Sequence, residues 1–460
     1  MPNTKSNVNA FGDQNYSKDT SCRITLFPND DGAYGGGGRN ITSFVTEVKI
    51  EEGIKQSSLL ATLTIKDGVN MIDDMRISGN ERIHLEIYYP GINVNKEGKV
   101  HVFYVSDVIN FSRHLQVQTY QFVCISETAY ISSTKTLNRS FEGGIKDEIF
   151  NILENDLGSS KSIFSEDGAG QVKGIYPNKK PMQAITWLIR SANANGTPFY
   201  FFESMYWEQK TNPERKGGFI FGSLGAFKNT STCYGPLYYK HVPYHQTSTV
   251  QKDPNIRHIV KVSTTLGMSK FNQIPQGAYG STFLGVDIAT KEIHLNEFRY
   301  EHDADKSLQA NAPFSTTNNA KFKDIALNES TKGRKFYSSI NSKAFDSNIG
   351  NYHQPLIEQL GSLQKSISKD ANMNHLTHEI TVEGNFDMWP GRMIEIVLPK
   401  AADPDALINR AVQKDEILSG VFMITGLTHT FKDSEYMIKA ACQTDSSLLD
   451  LNKPIPGTEV

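Results

Sequence analysis

"DMWPGRMIEIVLP", residues 387–399, runs from a turn into an alternating strand, and "GNERIHLEIYYPG", residues 79–91, repeats the same plan more than 300 residues upstream. In each run a glutamate (Glu86, Glu395) sits between apolar residues spaced by two, the period that gives a strand one buried face. A proline then ends each run (Pro90, Pro399), because proline has no N–H to offer a sheet ladder. The downstream strands agree as well. "GKVHVFYVSDVINF" and "LQVQTYQFVCISE" continue the first copy, and "SGVFMITGLTHTF" and "SEYMIKAACQTD" the second, with Phe103 and Phe422 early in the middle strand and Cys124 and Cys442 late in the last. The expectation is two copies of one small antiparallel β-barrel module; the competing reading is that two unrelated antiparallel meanders share this look, since short alternating strands are common. Duplication has a geometric consequence. Three copies of a two-module chain place six similar modules around one axis, so a ring can face a sixfold partner on one side and a threefold partner on the other.

At 460 residues the chain exceeds one core, so two to four domains are expected. With 47 Lys and Arg against 50 Asp and Glu, the net charge of −3 supplies no field for sequence-specific nucleic acid binding or for an anionic membrane. Apolar stretches such as "TPFYFF" fall far short of the roughly 18 residues of a membrane span. The polar start "MPNTKSNVNAFGDQNYSKDT" lacks the apolar heart of a secretory signal, so folding in a cytoplasm is expected. Four scattered cysteines form no CxxC, which argues against a zinc site or a disulfide framework.

Between the β-rich parts the period changes. Ile145, Ile149, Ile152 and Leu153 recur at helical intervals, and Pro181 opens a second helix whose face holds Ile185, Leu188, Ile189 and Ala192, with Gly196 to stop it. Residues 130–235 therefore read as a compact α+β insertion. Residues 301–350, rich in Asn, Ser, Lys and Asp, read as exposed loops. A helix is expected over Pro355 to Lys369, its stripe of Leu356, Leu360, Leu363 and Ile367 suiting either a short intermolecular seam or packing on its own domain.

No catalytic, metal or cofactor set emerges. "GAYGGGG" lacks the Lys-Ser/Thr of a phosphate loop. His241 and His245 lie four apart on a proline-containing segment, Glu301, His302, Asp303 and Asp305 lack the spacing of a calcium loop, and "HLTHEITVE" is not HExxH. No GxSxG occurs, and no cofactor is expected. Aromatic residues 199–207, "FYFFESMYW", suit a buried sheet, or else a surface that stacks on sugars.

The chain resembles the baseplate hub proteins of contractile-tailed bacteriophages, a family shared with contractile injection systems. Three segments carry the resemblance: Gly391 with Ile394–Pro399, Leu418–Phe431 and Tyr436–Asp445; residues 177–203, "PNKKPMQAITWLIRSANANGTPFYFFE"; and residues 277–303, "GAYGSTFLGVDIATKEIHLNEFRYEHD". It implies a mainly β fold with an α+β insertion: two tube-like antiparallel β-barrel domains plus smaller α+β domains. It further implies a homotrimer forming a pseudo-hexameric ring between tail tube and central spike, with the spike protein, tail tube or tube-initiator proteins and the tape measure protein as partners, in the virion. The second barrel would be discontinuous, pairing 236–300 with 376–450. The expected order is a flexible arm (1–20), barrel one (21–130), the insertion (131–235), strands of barrel two and an adjoining domain (236–300), polar loops (301–354), a helix (355–375), the rest of barrel two (376–450) and a tail (451–460). Interface candidates on the repeated strands are Glu86, Tyr88, Glu395 and Val397, taken as exposed edges, together with the helix stripe. The rival functions are a particle-associated cell-wall hydrolase and a peripheral carbohydrate- or receptor-binding tail protein.

Overall fold

Alternation of inward apolar residues drives the N-terminal strands into a ring. A computed structural model describes residues 21–28, 37–88, 99–194, 196–209, 212–228, 234–238, 257–266, 270–287, 291, 293–303, 309–311, 321–322, 325–340, 353–384, 388–400, 414–433 and 435–449. The arm at 1–20, most of the glycine loop, and His241 and His245 lie outside these residues. The first strands are β1 (Ser21–Phe27), β2 (Arg39–Asn40), β3 (Val45–Gly53), β4 (Gln56–Asp67), β5 (Arg82–Tyr88), β6 (Lys99–His114) and β7 (Val117–Ser126). They lie in the order β1-β5-β6-β7-β4-β3. Closure comes from β2, which pairs with β1 and leads into β3: Ile24 N–H donates to Thr42 Oγ1 at 2.8 Å, and Ile41 N–H to the Ile24 carbonyl at 2.9 Å. Between β4 and β5 a short helix, α1 (Met71–Met75), is held by Asp67, whose carboxylate accepts from the backbone of Val69 and Met71 and from the Tyr120 hydroxyl.

The insertion holds α2 (Glu127–Thr134), β8 (Ser140–Gly144), α3 (Ile145–Asn151), β9 (Ser162–Ser165), β10 (Gln171–Ile175), α4 (Pro181–Ser191), β11 (Asn193–Ala194), β12 (Thr197–Gln209), β13 (Asn212–Ser223) and α5 (Leu224–Lys228). Its helices bury Ile145, Ile149, Ile185 and Leu188 against Phe199, Phe201, Phe219 and Phe221. Tyr200 and Phe202 point to the other face of β12, into a core shared with Ile54, Met393 and Met423. Both faces of the strand are covered, so the sugar-stacking surface considered for these aromatic residues is absent at Phe199 to Phe202.

Next come β14 (Tyr234–Tyr238), β15 (Arg257–Leu266), α6 (Lys270–Gln276), β16 (Gly280–Asp287), β17 (Ile293–Arg299), α7 (Tyr300–Asp303), β18 (Lys321–Phe322), β19 (Ile325–Ala326), β20 (Arg334–Ile340), α8 (His353–Asn372), β21 (Leu376–Glu383), β22 (Met393–Val397), β23 (Gly420–Lys432) and β24 (Glu435–Thr444). The stretch read as polar loops thus contains three strands, of which β20 is the longest. "RKFYSSI" has little apolar content of its own, but β20 is fixed by parallel pairing along β16, a tertiary contact that local sequence does not encode. The helix begins two residues before Pro355 and ends at Asn372, and its buried positions include the polar Gln364, Ser366 and Ser368, held by hydrogen bonds such as Gln364 to Ser281 and Ser368 to the Ala278 carbonyl.

Strands β14, β22, β23, β24, β21 and β15 close on themselves: each pairs with the next, and β15 returns to β14. Position for position the order repeats that of the first ring, with β5, β6, β7, β4 and β3 answered by β22, β23, β24, β21 and β15. The irregularities repeat too. A bulge in β6 between Val105 and Asp107 matches one in β23 between Ile424 and Gly426, and the bulge hydroxyls, Ser106 and Thr425, each donate to a carbonyl across the pair, Val123 and Ala441, at 3.1 Å. A bulge in β3 between Val45 and Glu47 matches one in β15 between Ile259 and Lys261. Such bulges re-aim a strand and fix its register.

Two features depart from the expected alignment. Ile83 pairs with Phe103 and Ile394 with Phe422, so Glu395 stands where His84 does, and Glu86 corresponds to Val397. Aligning the two glutamates slips the strand by two residues, an error that period two conceals because it keeps every side chain on its proper face. Moreover, β1 runs antiparallel to β5 whereas β14 runs parallel to β22, so the sixth strand enters the second ring from the opposite end.

Candidate functional site

The two rings meet along β3 and β23, which pair antiparallel from Gly53 opposite Gly426 to Glu47 opposite Lys432. On β3, Val48, Ile50 and Glu52 share the inward face, and on β23 so do Leu427, His429 and Phe431. Glu52 and His429 are therefore carried into the junction, where each side chain is 1% exposed and His429 Nε2 lies 3.0 Å from Glu52 Oε1. His429 Nδ1 is 2.8 Å from the Tyr436 hydroxyl, and Glu52 Oε2 accepts from the Met205 N–H at 2.8 Å. Nε2 faces a carboxylate and so carries the proton. Every polar atom of the carboxylate and the imidazole has a partner, which is what allows burial without a large penalty. One cluster ties β3, β23, β24 and β12 together.

A second buried carboxylate on β12 extends this tie. Glu203 accepts from the Leu59 N–H at 3.1 Å and pairs with Lys161, joining the insertion to the first ring. Both carboxylates are taken up by these contacts, so the arrangement is suited to holding parts together. The alternation that puts Glu52 and His429 on inward faces is the signal that reveals them in sequence; neither stood out among the motifs.

The residues expected to form an interface lie elsewhere. Glu86 and Tyr88 are half-buried on the outer face of β5, the Tyr88 hydroxyl donating to Glu86. Glu395 and Val397 are half-buried on β22, with Lys414 Nζ 3.4 Å from Glu395. These strands are not edges: β5 is paired on both sides by β1 and β6, and β22 by β23 and β14. Leu363 and Ile367 are half-buried on α8, while the side chains of Leu356 and Leu360 lie outside the described residues. Asp303 accepts from the Arg299 N–H at 2.7 Å, which caps its turn, and among the described residues no three His, Cys, Asp or Glu gather as a metal site.

Two long stretches of strand edge in the rings have no strand partner among the described residues. Beyond the Val105 N–H, which donates to the Glu81 carbonyl, the side of β6 away from β7 has no strand partner through His114. Beyond Arg257 and His258, which pair with β14, the side of β15 away from β21 has none through Leu266.

No family model matches the chain, and no curated protein matches it. Among solved structures, it is similar to a tail protein from Neisseria meningitidis at 11% identity, covering 92% of this chain and 97% of that one with a TM-score of 0.49. It is also similar to the 43 kDa tail protein of prophage MuSo2 from Shewanella oneidensis at 12% identity, covering 92% and 98% with a TM-score of 0.46. A component of the E. coli type VI secretion system, itself structurally similar to bacteriophage tail proteins, aligns at 8% identity, 90% and 76% coverage and a TM-score of 0.41.

Proposed function

We propose that this protein is a structural baseplate hub component of a contractile tail, a homotrimer whose paired rings form a pseudo-hexameric collar between tail tube and central spike. The observation that carries the reading is the repeated ring: two six-strand modules of one order, sharing the same bulges, set side by side by the β3–β23 pairing. A chain of that design supplies two similar units per copy to a ring, the arrangement a sixfold-to-threefold adaptor needs. The sequence segments that resemble the hub family support the same conclusion. In this role the buried carboxylates are fasteners, the work is assembly and force transmission, and no turnover is required. The partners are a second and third copy, a spike protein on one face and tube or tape measure proteins on the other.

The test is molar mass in solution, with and without the spike protein of the same particle. Three copies, about three times 51.4 kDa, are expected in at least one condition. A chain that stays monomeric in both is not a trimeric hub. Incubation with peptidoglycan is expected to release no soluble fragments, and release would replace the adaptor reading with a hydrolase.

A further inference from the structure

We propose that the small sheet β17-β16-β20, with α6, is a hinged unit that undocks from α8 as one body while both rings stay closed. The chain makes this unit as an excursion. It leaves the second ring after Leu266 and re-enters it at Leu376, and those two residues pair directly across β15 and β21, so the ring closes without anything built in between. Among the described residues, α8 is the one element outside the unit that packs broadly on α6, β16 and β17. On its other side α8 is held to the insertion and the first ring. The Asp370 carboxylate accepts from the Tyr200 hydroxyl at 2.8 Å and pairs with Lys55 at 2.9 Å, and Met373 enters the core of Tyr200 and Phe202.

The joint between α8 and the sheet is held by different chemistry. Its apolar core shrinks to Ala278, Tyr279 and Ala371, and polar side chains supply the rest. Gln364 Nε2 donates to Ser281 Oγ at 3.0 Å, Asn296 Nδ2 to Gln364 Oε1 at 2.6 Å, and Ser368 Oγ to the Ala278 carbonyl at 2.6 Å. Gln273 Nε2 and Asn372 Oδ1 are buried here with no hydrogen-bond partner among the described residues. Apolar burial supplies most of the adhesion between packed parts, whereas hydrogen bonds between side chains exchange for bonds to water at little net cost, and unpartnered buried groups favour opening outright. Both effects set this joint apart from the rings, through which one apolar core is continuous. A strap remains when the joint opens. Asn311 Oδ1 accepts from the Val421 N–H at 2.8 Å, and its Nδ2 donates to the carbonyls of Val421 and Ser446 at 3.1 and 3.0 Å, which fastens the stretch between α7 and β18 to the second ring. The undocked unit therefore stays tethered.

Thiol labelling in native buffer, read by peptide mass spectrometry, tests the hinge. In a background with Cys22 and Cys233 replaced by serine, Ala278→Cys and Ala371→Cys each place a thiol at a buried position on one side of the joint, while the buried Cys124 and Cys442 report on the rings in the same chain. One opening exposes both sides of the joint. The two new thiols are therefore expected to react at matching rates, roughly tenfold or more faster than Cys124 and Cys442. Gln364→Ala is expected to speed both by a further factor of about ten and to leave the ring cysteines unchanged. New thiols that react no faster than the ring cysteines, or at unequal rates on the two sides, overturn the hinged unit. So does a Gln364→Ala chain in which the ring cysteines accelerate equally, or in which nothing changes. These rates are read within one chain whether it assembles as one copy or three, so their failure is distinct from failure of the hub reading.

Discussion

The two rings share strand order, bulges and inward residues, yet they differ at their seams. In the first ring the β3 edge is buried against β23 and carries Glu52; in the second the matching edge of β15 has no strand partner beyond His258 among the described residues and carries Leu266. The same scaffold thus carries a buried, fully satisfied polar pair on β3 and β23, and an exposed apolar side chain at the matching place on β15. A buried hydrogen-bonded pair demands accurate geometry and gives little net energy, but it punishes misalignment.

The sharpest way to break this comparison is to remove the internal pair. Glu52→Ala or His429→Ala leaves its buried partner unsatisfied and is expected to cost about 3–5 kcal/mol, whereas Leu266→Ala in the monomer is expected to cost well under about 1 kcal/mol. Denaturant midpoints of the three variants decide it, and similar costs would mean that the seam pair is not the fastener. A smaller effect is expected at Gly384, which occupies the place in the second ring that Asp67 holds in the first. A Cβ there would lie 1.9 Å from the Tyr436 ring, so Gly384→Ala is expected to lose about 1–3 kcal/mol through overpacking, read by thermal unfolding.

His378, which stands where the first ring has Ala61, makes the rings differ in their response to pH. Burial lowers its pKa, opposed by the bond its Nε2–H donates to the Leu418 carbonyl, while Nδ1 accepts from the Thr264 hydroxyl. Because the folded value lies below the unfolded one, the unfolded chain binds more protons in the window beneath the ordinary histidine value of 6.5. Stability is expected to be complete above that value and to fall as pH drops through the window. His378→Gln flattens this slope; a slope unchanged by the substitution refutes the assignment.

The finest probe is thiol reactivity. Cys124 and Cys442 occupy matching positions, and burial pushes both thiols well above their ordinary range. Both are expected to resist alkylation until unfolding, and to become reactive together, because one apolar core runs through both rings. Separate labelling rates, resolved by mass spectrometry across a denaturant series, would show that the rings open independently.

Much of this molecule is set by local pattern. The period-two alternation of residues 82–88, 117–126 and 435–444 fixes which side chains face a core, and Phe103, Phe422, Cys124 and Cys442 mark the same places in both copies. The helical intervals at Ile145–Ile149 and Ile185–Leu188 likewise locate the insertion. Alternation is blind to a two-residue slip, so the true counterpart of Glu395 emerges only from the pairing of Ile394 with Phe422. Nor does it tell an interior strand from an edge: β5 reads like an edge and is paired on both sides, while β15 reads like any strand and, beyond His258, has a partner on one side alone among the described residues.

What the sequence determined by itself is the face of each strand, the duplication and the lack of a recognisable catalytic motif, since these depend on residue type and spacing along the chain. Tertiary structure alone decided the register, the reversed entry of β14, the pairing that makes β20 a strand and which strands are flanked on both sides. Those depend on hydrogen bonds between residues far apart in the chain, and backbone N–H and C=O groups are the same at nearly every position.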